Sequence, residues 1–143
     1  IGDGSSQSYY TNATNPAAGV DVYLYDAAPT NTIVGATITS TSNWVSSVTL
    51  AAGTYMFEAA LGLTFSTTAT GTFDFHDGSS HFGMESYFGS TDFQTGIVNR
   101  SVQTFAGSTT VTLRIVAATN LNTTAAQGTR QAERAFLSIL KSA

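Results

Sequence analysis

The sequence predicts an all-β fold, an antiparallel sandwich or barrel, and three observations carry that prediction. Runs of β-branched and aromatic residues recur along the chain with turn residues between them, and almost nothing repeats at the period of a helix. Ser and Thr fill 40 of 143 positions while charged residues make up only 10 %. Hydroxyls rather than ions must therefore keep the surface wet, and Thr suits a strand as well as it suits water. The length of 143 residues fits one domain, which at that size buries roughly 68 to 70 % of its unfolded surface without a covalent staple. The chain has no Cys, which excludes a disulfide framework, a thiolate zinc site and a cysteine nucleophile.

Residues 1–19 are rich in Gly, Ser, Asn and Thr and read as a flexible N-terminal arm whose one anchor is the Tyr9-Tyr10 pair. Residues 20–143 form the domain. Strands are predicted at Val20 to Tyr25, Thr32 to Thr39, Trp44 to Leu50, Thr54 to Phe65, Thr70 to His76, His81 to Phe88, Asn99 to Phe105, Thr109 to Ala118 and Arg134 to Lys141. Ala51-Ala52-Gly53 reads as a three-residue hairpin loop with Gly53 in the left-handed region, a position that Asn also tolerates. Ala106-Gly107-Ser108 reads the same way. The polar stretch Asn120 to Thr129 is long enough to cross from one sheet to another. Arg130 to Phe136 competes between one helical turn and strand, and the β-period of the tail favours strand.

Two of these strands lack the alternation of a half-solvated sheet. Tyr55, Phe57, Ala59, Leu61, Leu63 and Phe65 make one apolar face, yet Met56, Ala60 and Gly62 opposite are apolar too, apart from Glu58. The last strand repeats this, with Ala135, Leu137 and Ile139 on one side and Phe136 and Leu140 on the other. Strands apolar on both faces want cover on both sides. With no amphipathic helix to supply it, a second copy of the chain is the expected cover, and a long loop is the alternative.

The residues Leu50-Ala51-Ala52-Gly53-Thr54-Tyr55-Met56-Phe57-Glu58 and the closing Ala135-Phe136-Leu137-Ser138-Ile139-Leu140 carry a resemblance. The pattern resembles the jelly-roll superfamily of tumour necrosis factor and the complement globular head, in which a G-x-Y-x-F strand follows a tight turn and an apolar strand closes the chain. The Thr-rich tone is most similar to the versions found in phage head decoration proteins and tail-fibre tips. The resemblance spans about Val20 to Lys141 and implies an antiparallel jelly-roll β-sandwich forming a homotrimer. It implies that Tyr55, Phe57, Leu61, Leu63, Phe136, Leu137 and Leu140 line the trimer interface. Two departures stand out: the chain has no collagen repeat, and the calcium-binding pattern of some members does not map onto it.

The densest titratable cluster is Asp74, His76, Asp77, His81 and Glu85. A hairpin turning at Asp77-Gly78 would bring His76 and His81 together beside Asp74, a weak candidate set for a divalent metal, while an Asp-Gly turn explains the same residues without one. No cofactor is expected. Hydrolytic chemistry has no foothold, because G-x-S-x-G is absent and the three Glu residues, Glu58, Glu85 and Glu133, fall on different strands. Trp44, Phe88 and Phe93 are candidates for stacking on a sugar or filling a partner's groove, against core packing as the ordinary fate of such residues. The sequons at Asn12, Asn99 and Asn122 follow from composition alone.

Net charge is −4 with five scattered Lys and Arg, which argues against nucleic acid and against an anionic membrane. No apolar run is long enough to span a bilayer. The expected function is that of a non-enzymatic virion protein, a trimeric decoration or cement protein whose arm clamps neighbouring capsomers. The alternative is a tail-fibre tip that attaches to a host surface glycan or protein.

Overall fold

A computed structural model of the chain describes residues 9–11, 19, 21–25, 29–41, 44–63, 69–90, 95–119 and 136–142. All regular structure among them is strand: β1 (Tyr9–Thr11), β2 (Asp21–Tyr25), β3 (Thr37–Thr41), β4 (Trp44–Leu50), β5 (Gly53–Leu63), β6 (Ala69–His76), β7 (His81–Ser90), β8 (Thr95–Phe105), β9 (Thr109–Thr119) and β10 (Phe136–Lys141). Every pairing is antiparallel. One sheet runs β1-β2-β4-β9-β6-β7, with β3 on β4 and an added β2–β9 pairing; the other runs β10-β5-β8.

The two sheets close over one core. Leu24, Val45, Val48, Leu50, Phe73, Phe75, Phe82, Val111, Leu113 and Ile115 of the large sheet meet Tyr55, Phe57, Ala59, Phe105 and Leu137 of the small one. Phe57 sits at the centre, with its ring centroid 5.3 Å from Phe75 and 5.2 Å from Phe82. These are the tilted and edge-on geometries that aromatic quadrupoles favour. Alternation explains most of this list, and bulges explain the exceptions. Val45 and Val48 are both buried, although strict alternation would point them to opposite faces. The register shifts where Thr39 pairs Ser47 and Ser40 pairs Val45, so Ser46 is the extra residue that restores the inward face.

Several elements differ from the sequence reading. The expected strand from Thr32 begins only at Thr37, because Asn31 Oδ1 accepts from Ile33 N at 3.0 Å and Asn31 Nδ2 donates to Ala36 O at 2.8 Å. An Asx turn thus takes the backbone groups that a strand would have used. Within the arm, Tyr9–Thr11 pairs with Val22 to Leu24. The tail loop from Asn120 to Thr129 and the helical alternative from Arg130 lie outside the described residues, while Phe136 opens a strand.

Neither short loop is a hairpin. Ala51 and Ala52 carry the chain from β4 in the large sheet to β5 in the small one, and residues 106–108 carry it back from β8 to β9. Tyr55 braces the first corner by donating its hydroxyl to Ala51 O at 2.9 Å. Gly53 has φ +152°, not the left-handed helical value; this is the mirror-image extended region, essentially closed to residues with a Cβ. The hairpin between β6 and β7 is local, with Asp77 N donating to Ser80 O at 3.1 Å.

Candidate functional site

The two faces of the small sheet have opposite characters. Inward, Tyr55, Phe57, Ala59 and Leu137 are all buried by the chain itself, and Ile139 packs against them. Outward, Met56, Val102 and Leu140 are 53 %, 65 % and 59 % exposed. The register makes these three a single cross-strand row, since Leu140 pairs Met56 and Met56 pairs Val102. The rows on either side are polar. On one side Thr54 and Thr104 share a hydroxyl hydrogen bond of 2.8 Å; on the other, Arg100 Nε donates to Glu58 Oε2 at 2.7 Å, with Ser138 paired to Glu58.

This placement corrects the expected interface. Tyr55, Phe57 and Leu137 have no surface to offer another copy, because the sandwich needs them between its own sheets. Among the described side chains, Leu140 is the one expected interface residue found on the open face. The side chains of Leu61, Leu63 and Phe136 lie outside the described residues. The sequence reading missed Val102 and Arg100, although the spacing of Arg100, Val102 and Thr104 marks one face of β8. Of the proposed stacking aromatics, Trp44 begins β4 and Phe88 lies in β7. Their side chains, and the whole of Phe93, fall outside the described residues.

The histidine hairpin forms as expected, and its rings make contacts within the protein. His76 pairs His81 across β6 and β7, with ring centroids 4.8 Å apart. His76 Nδ1 accepts from Gly78 N at 3.0 Å, and its Nε2 lies 3.1 Å from Arg114 Nη1. Arg114 in turn donates from Nε to Asp21 Oδ1 at 2.7 Å, and Thr112 Oγ1 donates to the same oxygen at 3.1 Å. Burial first, then the Arg114 guanidinium and His81, hold the His76 pKa below its ordinary value, against smaller opposing effects of Asp77 and Asp21. The amides of Ser80 and Ser79 hold the Asp77 carboxyl below its ordinary value, donating to Oδ1 at 2.7 and 2.8 Å.

Asp74 does not join the histidines. It is buried at 2 % exposure, and its Oδ1 accepts from Phe75 N at 2.7 Å and from Asn99 Nδ2 at 3.2 Å. The Asn99 contact crosses between the sheets, from β8 to β6, and so joins them with a polar staple. Gly83 makes room for it: at φ +97° a Cβ there would stand 3.0 Å from Asp74 Oδ1 and 3.1 Å from Ser101 Cβ. Among the described residues, no three His, Cys, Asp or Glu side chains gather as a metal site would need. With His76 Nδ1 accepting from Gly78 N and the Arg114 guanidinium beside Nε2, a dication would meet charge repulsion there.

Compared with known proteins, the chain matches no protein-family model and no curated protein.

Proposed function

We propose that this chain is a non-enzymatic structural protein of a virus particle, a homotrimeric jelly roll that decorates and cements the capsid surface. The observation that carries the assembly reading is the exposed row of Leu140, Met56 and Val102 on a sheet whose other face is already core. Apolar side chains aligned across three strands are what a partner surface covers. The jelly-roll reading draws support from the path of the chain. It passes from β4 to β5 in the other sheet, back for β6 and β7, over to β8, back to β9 and over to β10. Interleaving of this kind belongs to paired Greek keys.

The place on a virion rests on the hydroxyl-rich, weakly charged composition and on the resemblance carried by Gly53, Tyr55 and Phe57. Capsid proteins are the partners in this reading, with residues 1–19 as the clamp. The non-enzymatic reading accords with a histidine pair whose buried member is already engaged by Gly78 and Arg114. Labelled-antibody microscopy of intact particles tests the assignment. Label over the head is the expected result; label at the tail tip would replace cementing by attachment to a host surface glycan or protein. Particles that carry no label at either place would overturn the virion reading altogether.

A further inference from the structure

The open face of the small sheet is complementary to itself row by row. Its apolar row, Leu140, Met56 and Val102, can pack against an identical row. Its hydroxyl row, Thr54 and Thr104, can both donate and accept. Its charged row carries one acid and one base, Glu58 and Arg100, side by side with no net charge. This neutrality bears on which partner fits. The chain has nine acids against five bases, so two copies repel on average, and they can approach where each presents a matched pair. A strongly basic partner would find only one carboxylate in these rows, next to a guanidinium.

From this arrangement we infer that the occupant of the face is a second copy of the chain, and that Glu58 and Arg100 exchange partners on assembly, Glu58 of one copy pairing with Arg100 of its neighbour. The inference rests on the self-assembly reading above and deepens it, because it assigns the residues that set the register. The apolar row supplies contact without direction, whereas a charged pair beside it fixes which way the neighbouring sheet lies. Arg100 is suited to the exchange. Its side chain is 73 % exposed and engages Glu58 through Nε, so the outer edge of its planar fork points away from the bond it already makes.

The test uses the full chain in sedimentation velocity at micromolar concentration, comparing wild type, Glu58→Arg, Arg100→Glu, the double charge swap, and an equimolar mixture of the two single variants. Melting of each variant checks that the sandwich is intact. The wild type is expected to sediment as an oligomer. Each single variant, with two like charges in the row, is expected to lose at least tenfold in association. The double swap is expected to recover it, and the two single variants, dispersed alone, are expected to associate in part when mixed, because a mixed trimer keeps one like-charged junction of its three. Co-association on mixing is decisive, since a pair confined to one chain could not produce it. If the wild type is a monomer, the self-assembly reading fails and this inference fails with it. If the wild type assembles and the single variants assemble equally well, or do not associate on mixing, the exchange alone is overturned. Should either charge reversal unfold the chain, Glu58→Gln and Arg100→Gln replace them, and unchanged association in both would count against the inference.

Discussion

Gly53→Val is the sharpest probe of the corner that carries the chain from one sheet to the other. Gly53 occupies φ +152°, and forcing a residue with a Cβ into such a region costs about 1–3 kcal/mol. The new Cβ would stand 3.1 Å from Lys141 Cε and 3.4 Å from the Tyr55 ring. Lys141 can swing away, because its contact is near the end of a flexible side chain. Tyr55 cannot, being buried and bonded through its hydroxyl to Ala51 O. The backbone term therefore dominates, and crowding against Tyr55 adds to it. For a chain of this length the unfolding entropy is roughly 0.3 kcal/mol per kelvin, so the midpoint should fall by about 3–10 °C. Gly53→Asn should lose about as much as Gly53→Ala, because the tolerance of Asn for positive φ is confined to the left-handed helical region.

Gly107→Val in the companion corner is the control. Its φ is not positive, and a Cβ would meet nothing within 4 Å, so its melting should stay within about 0.5 kcal/mol of wild type. Thermal melts followed by circular dichroism measure all four variants. Equal losses at Gly53 and Gly107, or a Gly53→Val protein that melts with wild type, would refute the strain argument and the placement of the corner.

Phe57→Ala removes the ring at the centre of the core and should cost about 3–5 kcal/mol in urea unfolding, a large share of the total for a domain of this kind; a loss below 1 kcal/mol would mean that the sheets do not close over it. Because the folded-state pKa of His76 is lowered, the unfolded chain binds its proton first, so stability is complete above the unfolded value near 6.5 and falls as pH drops through it towards the folded pKa. Midpoints measured between pH 7.5 and 5.5 should therefore decline for wild type and decline less for His76→Asn, and a flat wild-type profile would contradict the assignment. The depressed Asp77 pKa acts lower, its contribution being lost only as pH falls below about 3.8. Asn99 is 2 % exposed and donates to Asp74, so its sequon should remain unglycosylated in a folded chain secreted from a glycosylating host, as peptide mass spectrometry would show.

Composition and period-2 patterning determined that this chain is an antiparallel β-protein, and located Trp44–Leu50 and the cores of β5, β6, β7 and β9 closely. Residue type and alternation are local, and burial on one face of a strand writes them directly into the sequence. The same logic exposed the double-sided apolarity of β5 and β10 and the meeting of His76 with His81. Other features were decided at longer range. A three-residue link looks alike whether it closes a hairpin or turns a corner between sheets, because what differs is the strand each end pairs with, and Leu50 pairs with Thr109 rather than with β5. Which apolar face of β5 is core depends on the sheet opposite it, so Tyr55 and Phe57 went inside while Met56 stayed out. The bulge at Ser46 shifted the inward parity of β4 with no distinguishing residue to announce it. The pairing of Glu58 with Arg100 joins residues 42 positions apart, and the Asp74–Asn99 staple joins residues 25 apart. Such pairs come together only when two sheets have chosen their register, and that choice belongs to the packed core as a whole.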